Sequence, residues 1–507
     1  MTAPRNTAAA GGSAAAAGSA AAGGARAPRG IVLAGTHSGV GKTSLALGVM
    51  GALGRRGYEV APFKVGPDYI DPTYHASVTG RPSRNLDTWL MPPAEAVGVF
   101  ERAVAASGGR GVTAVVEGVM GLFDGLAGGG ERCSTGEMAK LLGLPVVLVV
   151  DCSHTARSIA ALVHGFATFD PDLTVSGVIL NKVASPSHGR MVEEALAELV
   201  ALRSPGGSLA MDSGSRSSPV VVGIVPRRAD LHLESRHLGL IPTVEDRGVA
   251  EVLARIVDHV AEHVDLETLL DLAAPLPAAG PSEEAGVGSS TGPLSAAPGR
   301  RRRVAVARDA AFSFYYQDNL DVLEEEGAEL LFFRPTEGDE LPDCDAVYLG
   351  GGYPEVYAAE LAANTRLGRD LREAVASGLP LYAECGGYLY LGREIEDARG
   401  THPMAGVLPT RASMTGARLR MGYVEARASE HHPLAGDAFR GHLFHYSATT
   451  GSDAPAYHVT RKGETVVDGY ADGRIAASYV HLHFRGSRRI ARWLAGTDIT
   501  EEVLHHA

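Results

Sequence analysis

A glycine-rich turn between an apolar run and a helical one limits the fold most. "GIVLAG" ends in the turn, Gly35 to Thr43 read "GTHSGVGKT", and "TSLALGVMGALGRRG" continues with helical spacing until glycine stops it. That is strand, loop, helix. The pattern recurs in "YEVAPFKV", "VTAVVEGV", "PVVLVVD" and "VSGVILNKV", β-branched runs separated by helix-length stretches, as parallel βαβ units require. An α/β fold with a doubly wound, mostly parallel sheet is expected.

At 507 residues the chain exceeds one ordinary core, since a domain averages roughly 150 residues. Residues 1–29 are almost entirely Ala, Gly and Ser with a few Arg, too poor in large side chains to offset ordering entropy, and are read as a disordered tail. A first domain is expected over 30–272, with a flexible surface insertion at 203–219. Residues 273–300, rich in Pro, Gly, Ala and Ser, read as an interdomain linker. A second α/β series over 301–495 starts with "RRVAVARD", passes through "CDAVYLGGG" and "LPLYAECGG", and ends near "IAASYVHLHF".

A net charge of -13 gives no reason to expect nucleic acid as a partner. Cys133, Cys152, Cys344 and Cys385 lack metal-ligand spacing and disulfide density, which points to a reducing cytoplasm. No apolar run reaches membrane-span length, and the first 29 residues lack the core of a signal peptide. Small-molecule chemistry is the expectation, and a homodimer is compatible with it.

The turn is a phosphate cradle for ATP, with Thr36, His37, Ser38, Gly39, Val40, Gly41, Lys42 and Thr43 as the nucleotide contacts. Lys42 is placed to reach the β and γ phosphates, and Thr43 to ligate Mg²⁺. Strict Walker spacing is not met, because Thr36 holds the slot of the first glycine. Glu117, where "VTAVVEG" gives way to glycine, is the expected second metal ligand. In "FKVGPDYIDP", Lys64 is a phosphate ligand and Asp68 a metal ligand, while Asp71 before Pro72 also fits a turn residue.

A second constellation lies in "LPLYAECGGYLYLG". Cys385 ends an apolar strand before two glycines and a helix, a sharp turn that exposes a nucleophile to a helix N-terminus. A lone cysteine there is as often a small core residue, but "AASYVHLHF" brings His481 and His483 to another strand end, where an imidazole can deprotonate the thiol. Gly351, Gly352 and Gly386 offer backbone N–H groups for an oxyanion. His442 and His445 in "GHLFHYS" have no third ligand nearby and read as substrate-domain or structural residues rather than zinc ligands.

"GTHSGVGKTSL", "FKVGPDYIDPTYH", "VEGVMGLFDG", "GVILNKV", "RHLGL", "LGGGYPE", "YAECGGYLYLG", "GHLFHYS" and "SYVHLHF" occur here in the order found in the cobyrinic or hydrogenobyrinic acid a,c-diamide synthases. The chain resembles that family over about residues 30–490. The resemblance implies a dethiobiotin-synthetase-like ATPase domain followed by a class I glutamine amidotransferase domain. It makes Cys385 the glutaminase nucleophile, His481 its base, and Thr43, Asp68 and Glu117 the metal and phosphate group. It places Tyr69, Asp71 and Asp124 at the corrin carboxylate and Asn181 at adenine. The implied reaction consumes ATP and L-glutamine, and amidates the a and c acetates of a corrin acid through an acyl phosphate attacked by ammonia. Ordinary class I amidotransferases carry a glutamate two residues after the histidine; here His483 occupies that slot, so the group orienting His481 is open.

The Ala-, Gly- and Arg-rich composition is that of aerobic actinobacterial proteins and favours the metal-free hydrogenobyrinic acid over cobyrinic acid. Two alternatives stand beside this reading. One is an amidotransferase for another tetrapyrrole or a cell-wall acid; the other is a P-loop partitioning or metal-delivery switch ATPase. The switch proteins carry a lysine where His37 stands, and the glutaminase-like half argues against them.

Overall fold

The computed structural model describes residues 27–107, 111–203, 218–231, 233, 235–236, 239–240, 248–277, 301–416 and 418–499. Most of the expected tail, most of the 203–219 insertion, residues 278–300 of the expected linker and part of "RHLGL" lie outside them.

The first domain is built on one sheet with strands ordered Arg84–Leu86, Glu59–Val65, Val112–Glu117, Arg29–Gly35, Val146–Asp151, Val175–Val183 and Val220–Pro226. All neighbours along this path are parallel. Helices cover both faces, which is why the central strands are apolar throughout: Ile31, Val32, Leu33, Val115, Val116, Val147 and Leu148 are wholly buried, alternately against one helix layer and the other. The helix Lys42–Arg55 packs closely on Val249–His263, and β-carbons at Gly48 and Gly51 would collide with Val260 and Val257.

Both ends of this domain differ slightly from expectation. Arg29, assigned to the tail, already lies in the first strand, and its guanidinium donates to the Leu270 carbonyl. Ala274–Pro275, assigned to the linker, pairs antiparallel with that strand. The chain thus stays on the first domain just past residue 272, because Arg29 and Gly30, ahead of the pairing with Val146–Asp151 that begins at Val32, offer two more backbone pairs.

The second domain has a sheet ordered Glu329–Phe333, Arg303–Ala307, Ala346–Leu349, Leu381–Glu384, Ile475–Ser478 and Tyr470–Ala471, parallel except for the last pair. Two further sheets are inserted between its fourth and fifth strands, a mixed one running from Glu394–Asp397 to Ala448–Thr450 and an antiparallel one containing Arg420–Ala428, Ala438–His445 and Tyr457–Arg461. The sequence reading passed over them as separate elements. The second one alternates: Val424, Ala426 and Ala428 face the core while Glu425 and Arg427 are exposed.

The two domains share a core. Leu47, Tyr69, Ile70 and Tyr74 of the first pack with Phe314, Tyr316 and Tyr353 of the second. The seam also holds polar links: Tyr423 Oη donates to Asp87 at 2.6 Å, Trp89 Nε1 to the Gly441 carbonyl at 3.2 Å, and Arg84 pairs with Asp318 at 3.2 Å. Among the described residues, no helix is long and apolar enough to cross a membrane.

Candidate active sites

The phosphate cradle sits at the carboxyl ends of the first domain's strands, between Arg29–Gly35 and the helix Lys42–Arg55. Gly39 and Gly41 have φ values of 83° and 98°, a backbone shape that side chains resist and that turns peptide N–H groups to one side. His37, Ser38 and Gly39 form the exposed rim and Val40 is buried beneath it. Thr36 donates its backbone N–H to the Val149 carbonyl, which ties the loop to the neighbouring strand.

Asn181, expected at adenine, donates its amide to the Val40 carbonyl at 2.8 Å, and a β-carbon on Gly41 would strike that amide. It braces the loop from behind. Lys182 does the same, reaching the Gly39 carbonyl and Asp151, each at 2.7 Å. Lys42 folds over the loop to the carbonyls of His37 and Met120. Burial lowers its pKa to about 8, with the nearby Lys64 charge acting in the same direction.

Beneath the loop lies a buried charge network. Lys64 and Glu117 are register partners on adjacent parallel strands, so both side chains arrive at one level. Lys64 Nζ stands 2.5 Å from Asp71 and 2.8 Å from Glu117. Thr43 donates to Glu117 Oε1 at 2.7 Å and lies 3.3 Å from Asp71. His75 Nε2 meets the other Glu117 oxygen at 2.7 Å, and its Nδ1 meets Ser83. Burial works against the charge on Lys64, but Asp71 and Glu117 outweigh it and hold the ammonium on. Burial likewise opposes ionisation of Glu117, and Lys64 and His75 overcome it, keeping the carboxyl below its usual range. Deleting one member of such a network costs about 3–5 kcal/mol, because the partner charge stays buried alone.

The carboxylates of Asp71 and Glu117 already hold a cation, the Lys64 ammonium, and the Thr43 hydroxyl bonds to both, so the chemistry of this cluster suits a hard metal ion. Asp68 stands close by, one of its oxygens accepting from the N–H groups of Ile70 and Asp71. Among the described residues no group of three or more His, Cys, Asp or Glu could hold a metal by itself. Asp124 is exposed at the mouth and accepts from the Gly121 N–H at 3.0 Å.

In the second domain Cys385 caps the helix Gly386–Leu391 with φ 45°, ψ -99°. A side chain held at positive φ stores strain of about 1–3 kcal/mol, and such strain gathers at functional turns. Burial pushes the Cys385 thiol well up, with Glu355 and Glu384 adding to it. Gly386 lies against Gly352, for a β-carbon on the former would sit 2.9 Å from the backbone nitrogen of the latter. The Gly351 N–H already donates to the Phe314 carbonyl at 3.2 Å.

His481 is fully buried beside Gly351, whose β-carbon would lie 2.6 Å from the imidazole Cε1. Its Nδ1 stands 3.5 Å from a carboxylate oxygen of Glu384, a residue not singled out in the sequence. Glu384 is itself fixed by the Tyr382 hydroxyl at 2.8 Å and the Leu482 N–H at 3.1 Å. His483, in the slot of the usual glutamate, packs on Tyr316 with ring centres 4.8 Å apart, and burial pushes its pKa down to about 3. A neutral imidazole cannot replace a carboxylate's charge. His442 pairs in register with His481, while His445 stacks on Tyr479.

Tyr69, expected at the substrate carboxylate, lies between the two sites. Its ring stands 5.0 Å from that of His481 and 4.4 Å from that of Tyr316. The residue after Asp68 in one site thus touches His481 of the other. His75 and Glu384 were the main omissions. The first had a signal, since it sits four residues after Asp71 and so on the same helix face; the second had none beyond adjacency to Cys385.

Comparison with known proteins agrees with both halves. Residues 31–241 match the family described as the CobQ/CobB/MinD/ParA nucleotide binding domain, and residues 303–489 the CobB/CobQ-like glutamine amidotransferase domain. The hydrogenobyrinate a,c-diamide synthase of Streptomyces coelicolor is 43% identical over 495 residues, covering 91% of this chain and 96% of that protein. The cobyrinate a,c-diamide synthases of Syntrophotalea carbinolica and Methanothermobacter thermautotrophicus are 42% and 41% identical, covering 91% and 89% of this chain and 97% and 96% of theirs. With a phosphate cradle and a thiol elbow joined in one folded unit, the chain belongs to the cobyrinate and hydrogenobyrinate a,c-diamide synthase family of glutamine-dependent ligases.

Proposed function

We propose that this chain amidates the a and c acetate carboxylates of hydrogenobyrinic acid, and of cobyrinic acid, with ATP as activator and L-glutamine as nitrogen donor. The observation that carries the reading is the contact of Tyr69, from the ATPase site, with His481, from the glutaminase site. Two chemistries so joined suit a reaction in which ammonia made at one centre is consumed at the other.

A carboxylate resists ammonia because oxide is a poor leaving group. Transfer of the ATP γ-phosphoryl group to a substrate carboxylate oxygen gives an acyl phosphate and ADP; ammonia then displaces inorganic phosphate to leave the amide. Lys42 holds the phosphates, while Thr43, Asp68 and Glu117 are the residues that would hold Mg²⁺. When bound, that ion neutralises charge on the phosphoryl oxygens. At the second centre His481 takes the Cys385 proton, the thiolate attacks the glutamine amide, and Gly352 and Gly386 donate to the oxyanion. Ammonia departs, and water releases glutamate from the thioester. Burial at the seam keeps ammonia from water and from protonation.

Glu384 is the positioning residue for His481 in this scheme. Glu384→Gln is expected to lower glutaminase kcat by about 10⁴-fold, by analogy with loss of the orienting carboxylate in a hydrolase triad. KM for glutamine and ammonia-supported synthesis should hold, iodoacetamide should alkylate Cys385 more slowly, and Glu384→Asp should recover part of the rate. An unchanged alkylation rate and kcat would remove Glu384 from the mechanism.

The overall reading is tested by incubating purified protein, ATP, Mg²⁺ and glutamine with an equal mixture of the two acids and resolving products by mass spectrometry. Hydrogenobyrinic acid a,c-diamide should form at least as fast as the cobalt-containing product. Exclusive use of the cobalt acid would reverse the preference, and use of neither would return the chain to the wider group of amidotransferases.

A further inference from the structure

A cleft of about 800 Å³ runs along the domain seam, between the Trp89–Pro93 segment of the first domain and the antiparallel sheet of the second. Its volume falls in the range of small-molecule sites, about 300–1,000 Å³. Its chemistry contrasts with the chain's overall acidity. Arg132, Arg427, Arg440 and His458 line it, against one lining carboxylate, Glu425. Arg132 and Arg440 come from different domains yet stand over the same indole, 5.5 and 5.1 Å from the ring centre of Trp89. Trp89 is fixed in turn by its Nε1 bond to the Gly441 carbonyl.

Among the described residues, neither Arg132 nor Arg440 has a carboxylate within ion-pair distance, although Glu425 is the register partner of Arg440 on the adjacent strand. Guanidiniums gathered on one ring repel each other, and planar forks of this kind match carboxylates. The arrangement is suited to an anion with several carboxylates. Between the charges the walls are apolar, with Leu90, Met91, Phe439 and Leu482. Carboxylates at a rim and an apolar body within it describe the ligand.

The cleft is also tied to both catalytic centres. Arg132 closes a loop whose earlier part rests on the phosphate cradle: Leu122 N–H donates to the Gly35 carbonyl at 2.8 Å, and Leu126 N–H to the Arg132 carbonyl at 2.7 Å. Asp124 lies on that same loop. On the opposite wall is His483, two residues beyond His481.

We propose that this seam cleft is the binding site for the polycarboxylate macrocycle, with Arg132 and Arg440 gripping rim carboxylates that are not being amidated and Trp89 holding both guanidiniums in place. The assignment rests on the function proposed above and adds to it the residues that select the substrate. Tyr69, Asp71 and Asp124 then concern only the carboxylate under reaction, while affinity comes from the far rim.

The test uses the full-length protein with ATP, Mg²⁺, glutamine and hydrogenobyrinic acid. Arg132→Ala and Arg440→Ala should each raise KM for the corrin acid at least about tenfold, the loss expected for one charged hydrogen-bonding group. KM for ATP and for glutamine should move less than about twofold. Arg440→Lys should recover part of the affinity, and Arg366→Ala, an exposed arginine elsewhere on the second domain, should change nothing. Binding is read independently by quenching of tryptophan fluorescence on addition of the acid. The chain has two tryptophans, Trp89 and Trp493, so Trp89→Phe should remove most of the quench. Unchanged corrin KM in both arginine variants, or a rise in the ATP KM instead, overturns the assignment while leaving amidation by the unaltered protein in place. Absence of amidation by the unaltered protein is the separate failure of the functional reading.

Discussion

Cys385→Ala is expected to abolish glutamine-supported amidation, by at least about 10⁴-fold, and to leave ammonia-supported amidation near its original rate. The thiol sits on a strained turn with φ 45° and is buried among groups that keep it protonated at rest. Alanine keeps the β-carbon and so preserves the turn; what is lost is the sulfur that forms the thioester. No other described cysteine can take over, since Cys133 and Cys152 are buried in the first domain, Cys344 precedes a strand away from the elbow, and burial raises the pKa of all three. The assay supplies glutamine or ammonium chloride in parallel and measures diamide by mass spectrometry. Loss of product from both nitrogen sources would contradict the division of labour between the domains.

The reciprocal result is expected at the phosphate cradle. Lys42→Ala should remove amidation from either nitrogen source, by about 10³-fold or more given what one charge-stabilising donor contributes to phosphoryl transfer, while some glutamine hydrolysis persists. Burial has already lowered the Lys42 pKa to about 8. Below that pH the side chain is charged and can meet the phosphates; above it the charge is lost. The apparent affinity for ATP should therefore weaken as pH rises through about 8, and this dependence should vanish in Lys42→Ala. Normal synthesis in the variant would remove the cradle from the mechanism. Glu117→Gln should be as damaging to synthesis, with lowered stability as well, because Lys64 and His75 both lose a buried partner.

What could be read in the sequence was local. The cradle is one continuous strand, turn and helix, and the elbow at Cys385 is another, so spacing and glycine placement revealed both. Lys64 and Glu117 were legible because each ends a strand, and parallel sheets bring strand ends to one edge. Glu384 escaped because it meets His481 through strand pairing across an inserted pair of sheets, and no periodicity links the two segments. Arg132, Arg440 and Trp89 escaped for a stronger reason: the seam that unites them is formed by two domains, and each looks like an ordinary surface residue in its own segment. Asn181 was placed at adenine by resemblance alone; what the structure adds is its amide bond to the Val40 carbonyl of the loop, a contact that no spacing in the sequence foretells.

The insertion between Leu381–Glu384 and Ile475–Ser478 has a consequence for biogenesis. Glu384 receives the Leu482 N–H from 98 residues further along the chain, a closure whose entropy must be met before the contact forms. A ribosome adding about 5–20 residues per second releases Cys385 several seconds before His481, which the proposed mechanism makes its base. During that interval the first domain is wholly outside and free to fold, while the nascent thiol has no base and cannot consume glutamine. On the proposed mechanism, glutamine hydrolysis thereby waits until the segment that carries His481 has emerged.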